Sequence, residues 1–179
     1  LMDSLAPGRK MLDLFSYAGG LALRARRAGA SFVRAVDSAG EPLSKVLFNA
    51  ARNELEEIKA KQSDAFDYVR ARPDYFDLIV CDPPPLAKSR KQKDGALRNY
   101  RELNRHCLKM LTPGGIMITC SCSAAINDGD FDKMLMLAAK DARRPLRLLP
   151  GGGQPPDHAP LLAMPETRYL KVRIVEAVD

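Results

Sequence analysis

The stretch Met11-Leu-Asp-Leu-Phe-Ser-Tyr-Ala-Gly-Gly20 sets the terms for the whole chain. Residues 11–15 are a short apolar run of the kind that forms a buried strand, and a helical pattern with Leu21, Ala25 and Ala28 on one face starts directly after the turn. A strand, a tight glycine turn and a helix in that order form the place in an open α/β sheet where a nucleoside-bearing cofactor lies, at the carboxyl ends of the strands. Gly19 and Gly20 permit positive φ and a close backbone approach. Their spacing is not the Gly-x-Gly-x-x-Gly that cradles a pyrophosphate, so a nicotinamide dinucleotide is disfavoured. Asp13, an acid inside the incoming strand, suits a cofactor with a cationic group; an ordinary strand–helix turn is the plainer alternative.

The following elements repeat the pattern. A strand over 31–36 ends on Asp37, an acid placed to accept both hydroxyls of a ribose. Glu41 and Pro42 suit the first turn of a helix striped by Leu43, Val46, Leu47 and Ala50. A weak strand over 57–62, expected near a sheet edge, leads to Asp64, which can cap the next short helix or meet an adenine amino group. The clearest strand, 75–81, runs into Asp82, and Pro83-Pro84-Pro85 stops it in a rigid irregular backbone. A basic loop with Lys88, Arg90, Lys91 and Lys93 follows. Then comes a long helix striped by Leu97, Tyr100, Leu103, Cys107 and Leu108, with Arg98, Arg101, Arg105 and Lys109 on its outer face. Residues 111–115, Leu-Thr-Pro-Gly-Gly, are expected to end that helix. A strand over 116–123, a helix striped by Phe131, Met134, Leu135 and Ala138, a strand over 146–149, a Gly/Pro loop over 151–160 and a strand over 169–175 complete the chain.

This alternation predicts an α/β fold: a doubly wound, mostly parallel seven-stranded sheet with helices on both faces. The last strand, entered by a loop, should run antiparallel. At 179 residues the chain reads as one domain, and its start almost on top of the first strand suggests a piece of a longer protein. No apolar run is long enough to span a bilayer and no signal peptide precedes the first strand, so a cytoplasmic location is expected. The net charge of +6 suits a polyanionic partner. Four cysteines without a Cys-x-x-Cys pair and only two histidines argue against a metal site or a disulfide framework.

Taken together and in order, Phe15-Ser-Tyr-Ala-Gly-Gly20, Asp82-Pro-Pro84, Tyr100-Arg-Glu-Leu-Asn104, Ser121-Cys-Ser123, Asp157-His158, Pro165-Glu166 and Tyr169-Leu-Lys171 resemble class I S-adenosylmethionine-dependent methyltransferases. More narrowly, the chain resembles the catalytic domain of bacterial 23S ribosomal RNA cytosine-C5 methyltransferases that carry an N-terminal PUA domain. Three positions depart from the pattern, with Ala18 for threonine, Pro85 for lysine and Leu86 for an aromatic residue.

The resemblance implies S-adenosyl-L-methionine as cofactor and S-adenosyl-L-homocysteine as product. It implies cofactor contacts from Asp13, Phe15, Ser16, Tyr17, Gly19, Gly20, Asp37, Ser38, Asp64, Ala65, Asp82 and Pro83. It implies ribosomal RNA as partner, with Pro84, Lys88, Arg90, Lys91, Arg98 and Arg101 facing the substrate; a homodimer is compatible. Carbon 5 of cytosine is a poor nucleophile, and the usual solution is a thiolate that adds at carbon 6, an acid near N3 and an in-line methyl donor. Cys122 is the expected nucleophile and Asp82 the expected acid. Cys120 shares a strand face with Cys122 but lies further from the strand end, and Cys81 and Cys107 are expected core thiols. A nucleophilic Cys122 would need its pKa lowered toward neutrality; Lys171 and His158 are candidates for this by resemblance. The rival readings are a ribosomal RNA guanine N-methyltransferase of related sequence, which would not need Cys122, and a domain that binds cofactor or RNA without turnover.

Overall fold

The computed structural model describes residues 1–72, 74–154 and 158–178. After a short helix α1 (Met2–Leu5), the chain alternates β1 (Lys10–Leu14), α2 (Gly20–Arg27), β2 (Phe32–Asp37), α3 (Gly40–Arg52), β3 (Ile58–Gln62), α4 (Ala65–Ala71) and β4 (Phe76–Cys81). It continues through α5 (Lys93–Met110), β5 (Leu111–Ser121), α6 (Asp128–Ala142), β6 (Leu146–Leu149) and β7 (Lys171–Ala177). The seven strands form one sheet in the order β3-β2-β1-β4-β5-β7-β6. Strands β1 to β5 run parallel to one another, and β7 lies antiparallel between β5 and β6. The doubly wound mixed sheet expected from the strand–helix alternation is the one observed, with its antiparallel last strand.

Strand alternation divides the core in two. Met11, Val33, Ala35, Leu78, Val80, Ile116 and Ile118 face α1, α2 and α3, while Leu12, Leu14, Ile79, Cys81 and Met117 face α4, α5 and α6. Chain order reverses direction between β1 and β4, so the carboxyl ends of β1, β2, β4 and β5 open around one crevice.

Several boundaries differ from expectation. Residues 111–115 do not close α5; they begin β5, with Leu111 in register with Phe76 and the ladder shifted before Ile116 meets Leu78. Thr112 Oγ1 donates to Asp77 Oδ1 at 2.8 Å, which holds this Pro/Gly segment on the sheet. The last strand starts at Lys171 and runs on to Ala177. Leu47, expected on the buried stripe of α3, is exposed, and Leu43, Val46 and Ala50 alone make the contact. Asp157 lies outside the described residues.

Candidate active site

The turn after β1 is built in an unusual way. Its left-handed residues are Phe15 (φ 61), Tyr17 (φ 48) and Gly19 (φ 81), two of them with side chains that resist this conformation. Local bonds hold it: Ser16 N–H donates to the Val36 carbonyl at 3.1 Å and Gly19 N–H to the Ser16 carbonyl at 2.7 Å. Gly19 is required twice, by its positive φ and because a Cβ there would stand 2.8 Å from both Val46 methyls. The expected close approach at Gly19 is therefore to α3, while the space above Gly20 is open. Asp37 at the tip of β2 accepts Tyr17 N–H at 2.8 Å and Ala39 N–H at 2.9 Å, which fixes its carboxylate at the crevice.

Asp13 precedes this turn, almost wholly buried, and its Oδ2 accepts the Ala22 N–H at 3.1 Å in the first turn of α2. Burial pushes its pKa up to about 7; the Ala22 bond opposes the rise, and the charges of Asp82 and Asp37 add to it. The Ser16 hydroxyl, in the turn itself, is buried with no hydrogen-bond partner among the described residues. Asp64 caps α4, accepting Asp67 N–H at 3.1 Å, and Ala65 is buried behind it. Asp64 stands just past the end of β3, and Ser63 N–H donates to the Asp37 carbonyl at 3.0 Å, so the two strand tips are tied together.

A cleft of about 390 Å³ opens over the strand ends, lined by Phe15, Asp37, Ser38, Asp82, Pro83, Pro84 and Cys122. These residues come from the tips of four strands, and each was singled out in the sequence. Cys122 is half-buried, with its Sγ 3.9 Å from the Pro83 carbonyl. Cys120 lies deeper and is buried, as are Cys81 and Cys107. Burial raises the Asp82 pKa, and the neighbouring Cys120 thiol holds it back. Burial and then the Asp82 carboxylate push the Cys122 thiol pKa up, while Lys171 pulls the other way. Lys171 is itself buried, and its ammonium donates to the carbonyls of Ser123 at 2.8 Å and Tyr169 at 2.7 Å. His158 Nδ1 lies 3.1 Å from the Tyr169 hydroxyl.

The expected RNA-facing residues divide. Lys88, Arg90, Lys91 and Arg98 are exposed and form no ion pair among the described residues. Arg101 instead holds Asp141 of α6 through two bonds of 2.7 and 2.8 Å, and Lys93 pairs with Asp130. Among the described residues, no group of three or more His, Cys, Asp or Glu side chains is placed to hold a metal ion, and no helix is long and apolar enough to cross a membrane. A larger groove of about 500 Å³, between α6 and the β6–β7 edge, is mostly apolar and holds none of the residues above.

A sheet of this order, with an acid at the tip of β2 and a glycine turn after β1, defines a Rossmann-like methyltransferase fold. Residues 1–160 match the family model for S-adenosylmethionine-dependent methyltransferase, and the chain belongs to that family. Its cofactor is S-adenosylmethionine. Among curated relatives, it is 37% identical over 169 residues to Ribosomal RNA large subunit methyltransferase I of Photobacterium profundum, covering 92% of this chain and 43% of the relative. It is also 37% identical over 175 residues to the Ribosomal RNA large subunit methyltransferase of Deinococcus radiodurans, covering 95% of this chain and 42% of the relative. The chain thus spans less than half the length of these relatives. The fold matches the methyltransferase SMU.776, crystallised with SAH, at a TM-score of 0.83 and 24% identity, covering 98% of this chain and 47% of that one. It also matches NSun6 from Pyrococcus horikoshii at a TM-score of 0.73 and 15% identity, covering 99% and 50%.

Proposed function

We propose that this chain is the catalytic domain of a longer enzyme that methylates carbon 5 of a cytosine in large-subunit ribosomal RNA. The observation that carries the reading is the Cys122 thiol on the wall of the cleft that Asp37 and Asp82-Pro83-Pro84 also line. The relatives named above act on large-subunit ribosomal RNA by name, which supports the substrate class.

The residues present suit the cofactor. Asp37 offers a carboxylate already oriented by two backbone amides for the ribose hydroxyls, with Ser38 beside it and Asp64 and Ala65 at the adenine end. Phe15, Ser16, Tyr17, Gly19 and Gly20 form the floor toward the amino-acid end. There the buried Asp13 carboxyl and the Ser16 hydroxyl, without a hydrogen-bond partner among the described residues, suit a cationic, hydrogen-bonding group. When bound, S-adenosylmethionine supplies an electrophilic methyl group.

The work of the chain is to make the pyrimidine nucleophilic. The Cys122 thiolate adds to carbon 6, which places electron density on carbon 5. Asp82, which lines the same cleft as Cys122, is the acid placed to donate a proton toward N3 of the ring, which offsets the charge that develops there. After alkylation, water takes the carbon 5 proton, the electrons of that C–H bond expel the Cys122 sulfur as thiolate, and N3 returns its proton to the Asp82 carboxylate, which restores the aromatic ring and the resting site. Pro83 and Pro84 offer a stiff apolar wall for a flat base. Pro85 stands where enzymes that methylate exocyclic amines place a stacking aromatic, which favours carbon over nitrogen as the target.

Cys122→Ala tests this. With unmodified large-subunit RNA and labelled cofactor, the variant in the whole protein should lose turnover by at least about 1,000-fold while cofactor affinity stays within about twofold. Retained turnover would return the guanine N-methylation reading.

A further inference from the structure

Two serines that this chemistry does not use flank the thiol. Ser121 and Ser123 are both fully buried, while Cys122 between them faces the cleft, as alternation along an extended chain requires. Their hydroxyls end on one atom. Ser121 Oγ donates to Tyr100 Oη at 3.0 Å, and Ser123 Oγ lies 3.2 Å from the same oxygen. Ser123 N–H returns to Ser121 Oγ at 3.3 Å.

The same knot holds two further segments. The Ala87 N–H, at the end of the loop that begins with Asp82-Pro83-Pro84, donates to Ser123 Oγ at 3.2 Å. The Lys171 ammonium, from the start of β7, donates to the Ser123 carbonyl at 2.8 Å. The Tyr100 ring has no exposed surface and meets Phe131 of α6 edge-on at 5.9 Å between centroids, so its hydroxyl cannot move unless α5 and α6 move with it. Packing alone does not call for these polar groups, since phenylalanine and two alanines would fill similar space without a buried network to satisfy. The network instead gives direction and distance. It joins the strand tip bearing the thiol to the loop bearing Asp82 and Pro84 through Ser123 Oγ, which accepts the Ala87 N–H and is itself held by the buried Tyr100 hydroxyl.

We propose that Tyr100 is a positioning residue for methyl transfer: its hydroxyl, gripped by Ser121 and Ser123, sets the separation between Cys122 and the 83–87 loop against which the acceptor base lies. The proposal rests on Cys122 being the nucleophile. A nucleophile displaced by about 1 Å loses on the order of 100-fold in rate even when ligands still bind.

The experiment is Tyr100→Phe in the whole protein, which keeps the ring and its packing against Phe131. We expect kcat to fall roughly 10- to 100-fold, with the KM and Kd for S-adenosylmethionine within about twofold. We also expect the iodoacetamide alkylation rate of Cys122, followed by mass spectrometry of its peptide, to change at least about threefold. Adding Ser121→Ala to Tyr100→Phe should cost less than the sum of the two single changes, because both cut the Ser121–Tyr100 bond and only the loss of the Ser123 N–H acceptor is new. Wild-type kcat and wild-type alkylation in Tyr100→Phe would overturn the proposal. If Tyr100→Phe does not fold, Ser123→Ala cuts the tie to Ala87 and should show the same split; unchanged kcat there is equally fatal. Turnover that survives Cys122→Ala would remove the nucleophile reading beneath the proposal, and the alkylation rates would still report whether the phenol holds the thiol.

Discussion

At the scale of single residues, the most exposed consequence belongs to Asp13. A carboxyl whose pKa rises from 3.8 in the unfolded chain to about 7 in the fold binds more protons when folded between those values. Stability therefore falls as pH rises from about 4 to about 7 and stays reduced above that. The full effect is on the order of 4 kcal/mol. Asp13→Asn keeps an oxygen for the Ala22 N–H and removes the titration. Urea unfolding without cofactor should find the variant more stable than wild type at about pH 8 and near parity at about pH 4.5, while its cofactor affinity is weaker. Lys171 makes the opposite kind of contribution. Its ammonium is the cation that favours the Cys122 thiolate, so Lys171→Met should slow alkylation of Cys122 at about pH 8 several-fold, and Lys171→Arg should restore part of it. The acids were legible in the sequence because each closes an apolar run or breaks one: Asp37 and Asp82 stand at strand tips, and Asp13 interrupts a strand. Tyr100 was legible as part of an apolar stripe and as the first residue of one motif in the resemblance, with no role attached to its hydroxyl. Its hydroxyl meets serines more than twenty residues away, and nothing in local spacing announces a meeting made by packing α5 on β5.

At the scale of elements, turns and caps carry the information. Asn127 and Asp130 form a reciprocal capping box at the start of α6, with bonds of 2.8 and 3.1 Å. Asn127→Ala should cost about 1 kcal/mol in unfolding free energy and leave cofactor affinity alone. Gly19→Ala should do the reverse of a mild change: the new methyl meets Val46 and the φ is unfavourable, so the β1–α2 turn must shift and cofactor affinity should drop with stability. Strand and helix types were readable from periodicity almost throughout. Where the reading failed, pairing outweighed local preference. The Thr-Pro-Gly-Gly of residues 112–115 looks like a loop, yet Leu111 pairs with Phe76 across the sheet and Thr112 bonds Asp77. The left-handed Phe15 and Tyr17 could not be anticipated, because strain of this kind normally falls to glycine and here the bond from Tyr17 to Asp37 enforces it.

At the scale of the whole molecule, charge is the readable property. Lys88, and Arg90 and Lys91 in the 3-10 turn Arg90–Gln92 where a loop was expected, follow the cleft-lining Pro83-Pro84 in the chain and form no ion pair among the described residues. If this segment meets RNA as proposed, reversing all three to glutamate should weaken RNA binding. It should also flatten the slope of log affinity against log salt by roughly 0.7 to 0.9 for each phosphate no longer neutralised. Arg101→Glu should instead act on stability, since its partner Asp141 is in α6. The edge strand β3 carries Lys59 and Lys61, which discourages another strand from adding there.

The placement of β7 has a consequence for the order in which the molecule can assemble. Among the described residues β6 pairs only with β7, and β7 bridges it to β5, although residues 171–177 are the last of the seven strands to leave the ribosome. Until those residues emerge, a nascent chain can zip the five parallel strands but has nowhere to lodge β6, and the ammonium that steadies the segment next to the thiol has not yet been made. The β5–β7–β6 edge is therefore the part of this sheet completed last, and a ribosome–nascent-chain complex in which residues only up to 170 have emerged should hold a protease-resistant α/β part with an unfinished edge.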